Sequence, residues 1–363
     1  MEKAKISPYQ LFTLIVLFEL GTALIVPLGV EAKQDAWIAE LLGLAGGIVL
    51  LLHYFYLYHQ YPDLLPTQYI RKIFGQYLGY LVSLLYIVFF IYGASRDLRD
   101  ASELLLLQYD RTPMFAVSAI IMLLVSYALY HGIEVLARTG ELIIVMVFLM
   151  ITLTFISIIG SDVIRPENLL PVLENGWKPV LNTVFPYRIF FPHGELICFI
   201  AVFPFLNTPK TGMKYGLIAT ILSGLILTVT ITFELTTLGV ANLSTATFPF
   251  LQFVEKINIA GFIQGLQGFA VILLVIGAFF KVAVFAFAAV KCAGDLFQIK
   301  NSRKLVTPIS LIVFALSFAI ADNFIAHMEQ GKVALRTVFP LFGFIIPLLL
   351  IVVDFIRNRM RNK

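Results

Sequence analysis

Residues 190–206 read FFPHGELICFIAVFPFL. The run is almost wholly apolar, yet Pro192, His193, Gly194 and Glu195 stand together inside it. A helix there loses a backbone hydrogen bond at Pro192 and stiffness at Gly194. Lipid cannot satisfy the freed N–H and C=O groups, so a break at membrane depth lines a protein-walled or wet cavity. The N-terminal end of the following half-helix carries partial positive charge and free N–H groups. Such a place suits a small zwitterion: N–H groups take the carboxylate, while carbonyls and polar side chains take the amine. The competing structural reading is a proline kink in which His193 and Glu195 cap one another.

Composition sets the surroundings of that stretch. The chain has 363 residues, 60% of them hydrophobic and 13% charged, with a mean hydropathy of +0.91. A soluble domain cannot hide so much apolar surface, so the chain is read as an integral membrane protein whose first apolar stretch is a retained span. The net charge is only +4, and no long basic run precedes the C-terminal tail, which argues against a nucleic-acid partner. Cys198 and Cys292 lie in or beside apolar segments and give neither a disulfide framework nor metal-ligand spacing. No nucleophile–base pair, phosphate-binding glycine loop or cofactor motif appears, so neither an enzyme, a catalytic residue, a metal site nor a cofactor is expected.

A membrane helix needs about 20 mainly apolar residues. Ten such spans are read, at roughly 8–30, 37–60, 77–108, 114–131, 139–160, 184–206, 213–239, 260–290, 306–322 and 336–356. Basic clusters at 300–304 and 357–363 set the orientation, and with an even span number both termini are expected in the cytoplasm. The third span is long, with an uncharged run from Tyr77 to Ser95 followed by RDLRDASELLLLQY (96–109). One reading is a short span and a charged outer loop. The other is one long helix whose outer half faces water inside the bundle, because Arg96, Arg99 and Glu103 fall on one helix face.

The connection SDVIRPENLLPVLENGWKPVLNT (161–183) carries three prolines and divides the chain into repeats at about 8–160 and 184–356. Five spans in each half put the halves in opposite orientations. Each half opens with an interrupted span: FELGTALIVPLG (18–29) in the first and the PHGE stretch in the second. Matched interruptions of this kind point to an inverted-repeat transporter fold, all-α, with spans 1 and 6 broken.

Four embedded charges carry the chemistry. Glu195 either stays ionised against a cation, Lys281 or a ligand ammonium, or is protonated by desolvation. Lys281 stands in VILLVIGAFFKVAVFAFAAV (271–290), where a lone ammonium is costly. It serves either a ligand carboxylate or a fixed pair with Glu195 or Glu234. Gly277, one turn earlier on the same face, leaves room for a substrate or a neighbouring backbone. Glu19 and Glu234 are read as functional or merely hydrogen-bonded acids, and Glu141 as an interface residue.

These residues resemble a family. GELICFIAVFP (194–204) after Phe190 and Phe191 is similar to the sixth-span motif of the amino acid–polyamine–organocation superfamily. LRDASELLLLQYDRTP (98–113) and RPENLLPVLENGWKPV (165–180) resemble the spore-germination permease family, the B subunit of nutrient germinant receptors. The resemblance covers essentially the whole chain. It implies a LeuT-like five-plus-five fold, residence in the inner membrane of the bacterial spore, and assembly with an A and a C subunit. It also implies a nutrient germinant as ligand, commonly an amino acid and sometimes a sugar or nucleoside. Carried onto this sequence, the pocket is walled by Gly21, Thr22 and Ala23, by Tyr92, Ser95 and Arg96, by Phe191, His193, Gly194 and Glu195, and by Phe280 and Lys281. Relatives commonly carry a small or hydroxyl residue near Lys281, and this departure leaves the ligand's identity open. Three functions share such a scaffold: a sensor that signals germination to partner subunits, a proton-coupled amino acid transporter, and an ion or water conduit.

Overall fold

The computed structural model describes residues 5–27, 29–108, 111–258 and 266–361. Among the described residues the regular structure is all helical, apart from one isolated parallel bridge between Ile6 and Leu206. The helices are α1 Pro8–Leu20, α2 Ala36–Gln60, α3 Pro66–Phe74, α4 Gln76–Gln108, α5 Met114–His131, α6 Ile133–Ile159, α7 Trp177–Asn182, α8 Pro209–Thr245, α9 Pro249–Glu255, α10 Gln267–Leu296, α11 Val306–Ala319, α12 Phe324–Pro340 and α13 Ile346–Arg361. Among the described residues eight helical segments are long and apolar enough to cross a membrane. The first and sixth spans are the two interrupted ones, which completes ten.

The first span starts cleanly and stops early. Ser7 and Gln10 form a reciprocal capping box, and Pro8 occupies the first turn. Regular helix ends at Leu20, where Gly21 turns away at φ −48°, ψ −109°, and a short 3₁₀ turn follows over Thr22–Leu24. The sixth span is less regular still. It runs through a π-helical segment, Thr183–Arg188, and then a 3₁₀ helix, His193–Ala201. The interruption expected in the span at 184–206 is present and extends along most of it: the prolines at 186, 192 and 204 remove N–H donors often enough that no full α-helical ladder forms. Its backbone rests on α2, where Gly43, Gly46 and Gly47 meet Arg188, Ile189 and His193; a Cβ on Gly47 would lie 2.3 Å from His193 Cβ. Small residues let the two backbones approach.

Tyrosines satisfy part of what the breaks expose. Tyr54 donates to Gly343 O at 2.6 Å and lies 3.3 Å from Gly194 O, and Tyr86 donates to Phe342 O at 2.8 Å. Gly343 and Phe342 belong to a π-helical turn, Leu341–Ile345, that follows Pro340 and joins α12 to α13.

Other boundaries shift for local reasons. The fifth span begins at Ile133 rather than 139, because Gly132 at φ 95° supplies the turn immediately before it. The seventh begins at Pro209 rather than 213, with Pro209 in its first turn, and its straight run closes at the expected 239, where Gly239 (φ 73°, ψ 163°) kinks the chain before a short helical continuation to Thr245. The eighth runs Gln267–Leu296; positions 260–265 of the expected 260–290 lie outside the described residues or its helix. The ninth ends at Ala319 rather than 322. The tenth begins at Phe324, not 336, because Asn323 caps it by accepting from Ala326 N. The third span is one helix, so the charged tract is not a loop. At 33 residues it is about 50 Å long by the 1.5 Å rise, well beyond a hydrocarbon core of about 30 Å. Tyr109 and Asp110 of the motif that follows lie outside the described residues.

Candidate functional site

Both breaks and two long helices converge. α10 passes the first break so closely that a Cβ on Gly277 would lie 2.6 Å from Gly21 Cα, and one on Gly21 2.7 Å from Gly277 O. One turn on, Lys281 is fully buried. Its Nζ lies 2.5 Å from Glu195 Oε2 in the sixth-span break and 3.8 Å from Asp97 Oδ1 on α4. It donates to Thr22 Oγ1 at 2.9 Å, and Thr22 in turn donates to Asp97 Oδ1 at 2.8 Å. One hydroxyl thus serves as acceptor and donor between cation and carboxylate. Phe191 and Phe18 offer ring faces to the ammonium, 4.3 Å and 5.4 Å from their centroids. The balance is one cation against two carboxylates, and Asp97 Oδ2 is buried without a hydrogen-bond partner among the described residues.

Beside this cluster is a cavity of about 100 Å³. Glu195, Asp97, Asp100 and Arg96 give it a charged wall, and Val26, Phe191, Met328, Leu335 and Phe339 an apolar one. Arg96 Nη2 donates to His327 O at 3.0 Å, while its Nη1 is buried with no partner among the described residues. His327 Nε2 lies 2.8 Å from Asp100 Oδ1. The cavity shares Glu31, Tyr187 and Lys332 with a wider vestibule of about 730 Å³, also lined by Lys178 and Asn182. The vestibule therefore lies on the face that carries the 161–183 connection. Lys332 bridges Glu31 (3.6 Å) and Glu329 (3.4 Å) there, in an exposed setting where such pairs contribute little.

A second buried cluster lies behind the sixth-span backbone. His193 Nδ1 is 2.8 Å from Glu19 Oε1, and its Nε2 is 3.3 Å from Glu40 Oε1. Arg188 donates to Glu40 Oε2 from Nε at 2.6 Å and from Nη2.

Of the residues singled out in the sequence, Thr22, Glu195 and Lys281 share the ion cluster, with Phe191 over the ammonium. Arg96 lines the cavity, and Tyr92 lies under its guanidinium at 5.9 Å. Gly21 is where α10 touches the break. The others face elsewhere. Ser95 donates back to Ile91 O at 2.7 Å, and Ala23 is buried off the cavity wall. His193 joins the second cluster. Gly194 packs on Phe190 and presents its carbonyl to Tyr54. Phe280 meets Phe279 edge-on at 5.2 Å and lies near Gly140 of α6. The Lys281 partner is Glu195, not Glu234. Glu141 accepts from Gln10 at 3.0 Å. Sequence reasoning missed Asp97, Asp100, His327, Glu40 and Arg188. For the two aspartates the signal was present: they stand three apart, one place after Arg96 and Arg99, and so share a neighbouring helix face.

Comparison with known proteins fits this geometry to a family. The crystal structure of MhsT in complex with L-phenylalanine superposes with a TM-score of 0.73 at 15% identity, covering 94% of this chain and 88% of that one. The fold is therefore LeuT-like: ten spans, five plus five, with spans 1 and 6 broken. Spore germination protein YndE of Bacillus subtilis (strain 168) is 26% identical over 370 residues, 98% of each chain. Spore germination protein KB of the same organism is 40% identical over 355 residues, 95% of each chain. A match to the family described as "Spore germination protein" spans residues 5–325, and with it the chain belongs to the spore germination permease family.

Proposed function

We propose that this chain is the membrane subunit of a nutrient-germinant receptor, and that it binds a small amino acid in the cavity between the broken spans and signals germination. The observation that carries the reading is the pair of unused buried groups on one cavity wall: Arg96 Nη1 and Asp97 Oδ2. A guanidinium nitrogen and a carboxylate oxygen without partners suit the carboxylate and ammonium of a zwitterion. The surplus carboxylate beside Lys281 favours a ligand that brings a cation. Phe191, Leu335 and Phe339 suit a short apolar side chain. About 100 Å³ is room for several waters, at about 10–15 Å³ each, and so for a small ligand. Relatives named as spore germination proteins support the signalling role, and a like-folded protein holding L-phenylalanine supports the ligand class.

The same reading includes assembly with A and C subunits, residence in the spore inner membrane, repeats at 8–160 and 184–356, and cytoplasmic termini. Lys3 and Lys363 lie outside the described residues. Single cysteines placed in 165–180 are expected to react with a membrane-impermeant maleimide from outside only. Labelling solely from the cytoplasmic side would overturn the orientation.

Binding is tested with radiolabelled amino acids on the purified chain. Arg96→Gln and Asp97→Asn are each expected to weaken binding at least tenfold, since a hydrogen bond to a charged group is worth about 1.5–3 kcal/mol. Wild-type affinity in both variants would remove the cavity from the reading. A proton-coupled transporter is the second reading, favoured by His193 held between Glu19 and Glu40 in the sixth-span break. Concentrative uptake into liposomes that depends on a pH gradient would select it; saturable binding without uptake selects the sensor.

A further inference from the structure

α12 presents a stripe to the amino acid cavity: Met328, Gly331, Lys332, Leu335 and Phe339 recur at helical spacing and all line it. Four of the five are long or bulky. Gly331 is the exception, and a side chain from another helix occupies the space beside it. A Cβ at 331 would lie 2.4 Å from Nη2 of Arg96 and 3.2 Å from its Cζ. The guanidinium that α4 sends across therefore rests directly on the main chain of α12.

The missing side chain has a specific consequence. A helical residue covers the turn that precedes its own Cα, so a side chain at 331 would cover the carbonyl of His327, one turn earlier in α12. A helical carbonyl accepts from the N–H four residues on and keeps a second lone pair. With no Cβ in the way, Arg96 Nη2 donates to the His327 carbonyl at 3.0 Å. Two further contacts hold the arrangement. The ring of Tyr92, one turn before Arg96 on α4, lies 5.9 Å from the guanidinium carbon. Asp100, one turn after Arg96, holds His327 Nε2 at 2.8 Å through Oδ1. One end of the planar guanidinium fork is thus engaged by α12. The other, Nη1, is buried at the cavity with no partner among the described residues.

We propose that Gly331 is a positioning residue that makes the cavity selective for an acid group. By leaving the His327 carbonyl uncovered, it docks one guanidinium nitrogen of Arg96 on α12 and leaves the other for the carboxylate of the ligand. This inference rests on the amino acid reading of the cavity. It adds that discrimination between an amino acid and the corresponding amine is set through α12, by a residue that offers the ligand no side chain of its own.

The test measures affinity by isothermal titration calorimetry on the purified full-length chain in detergent. The probes are L-alanine and L-valine, each paired with the amine that lacks only its carboxylate, ethylamine and isobutylamine. Wild type is expected to bind at least one of the amino acids about tenfold more tightly than its amine, the effect of one hydrogen bond to a charged group. In Gly331→Ala the new methyl group meets the far end of a flexible side chain, so the guanidinium moves while α12 stays, and Ala is the better helix former. The variant is expected to keep the wild-type thermal midpoint, to lose about tenfold in amino acid affinity, and to bind the amine unchanged. In an Arg96→Gln background it is expected to change nothing further, because both substitutions remove the same interaction. A wild type that binds neither amino acid, or binds it no better than the amine, overturns the amino acid reading and this inference together; so does Arg96→Gln with wild-type amino acid affinity. If Arg96→Gln loses affinity but Gly331→Ala does not, this inference alone falls. It falls alone too if Gly331→Ala loses the amine as much as the amino acid, or adds its loss to that of Arg96→Gln. Should Gly331→Ala fail to fold, the double variant with Arg96→Gln decides: a double variant that folds supports the contact with Arg96, and one that does not overturns it.

Discussion

Replacing Lys281 by Met is expected to lower the stability of the folded chain by about 3–5 kcal/mol, the range for removing one member of a buried ion pair. Met keeps most of the stem's packing, so the loss isolates the charge. With the ammonium gone, Glu195 and Asp97 share a buried site with no cation between them, and the Thr22 hydroxyl can serve only part of that need. The one-to-two charge balance makes the effect asymmetric. Glu195→Gln alone leaves Lys281 with Asp97 at 3.8 Å, and is expected to cost less than Lys281→Met. The double variant Lys281→Met with Glu195→Gln is expected to recover most of the loss, because fewer charges remain uncompensated. If an amino acid ammonium occupies the cavity, ligand should stabilise Lys281→Met more than wild type, since it restores the missing cation. Thermal unfolding in detergent, with and without ligand, measures all three. A Lys281→Met chain as stable as wild type, or a double variant worse than either single one, would refute the ion pair as a structural element.

Much of this was legible before any coordinates. Pro192 and Gly194 mark the sixth-span break because neither can be hidden in lipid without a protein partner. That Lys281 needs a carboxylate follows from an ammonium in an apolar span, but the sequence left Glu195, Glu234 and a ligand open, and the structure selects Glu195. The spacing of Arg96, Arg99 and Glu103 identified one helix face, and that helix is continuous through the charged tract. What was not legible was direction. His193 and Glu195 stand two apart, which is about 200° on an α-helix and about 240° on a 3₁₀ helix. They therefore face different sides, one toward Glu19 and Glu40, the other toward Lys281. Phe280 beside Lys281 is turned by about 100° and meets α6 instead of the cavity. The aspartates escaped notice for a related reason. Arg96 and Asp97 are neighbours in sequence, but which of the two faces of α4 meets the cavity depends on how the helix is rotated against α10. Packing decides that rotation, and no local pattern encodes it. Both faces in fact contribute, since Arg96 and Asp97 both line the cavity. The long-range pairs Arg188–Glu40 and Asp100–His327 join elements that only the completed bundle brings together.

The second large effect is expected where two backbones touch. Gly277→Ala places a methyl group 2.6 Å from Gly21 Cα, closer than any Cβ normally comes to another carbon. A long side chain could swing aside, but the obstacle here is the main chain of the first break, so α10 or the break must move. Overpacking of this kind costs about 1–3 kcal/mol, and Gly277→Leu is expected to reach or exceed the top of that range. The consequence for the site follows from one turn of helix. Gly277 and Lys281 lie on the same face of α10, and Gly21 is bonded to Thr22, which accepts from Lys281 at 2.9 Å. Any separation at the glycine pair opens the Lys281–Thr22–Asp97 chain next to it, so amino acid binding should fall at least tenfold with Gly277→Leu even in chains that still fold. Gly268, on the same helix, supplies the control. A Cβ there meets nothing within 4 Å among the described residues, and at the second position of the helix Ala is at least as good a helix former as Gly. Gly268→Ala should therefore leave stability unchanged or slightly raised, and binding intact. Folded yield by size-exclusion chromatography and binding of a radiolabelled amino acid give the two readouts. Gly277→Leu with wild-type stability and affinity would mean that α10 and the first break are not in contact, and the charge cluster built on that contact would fall with it.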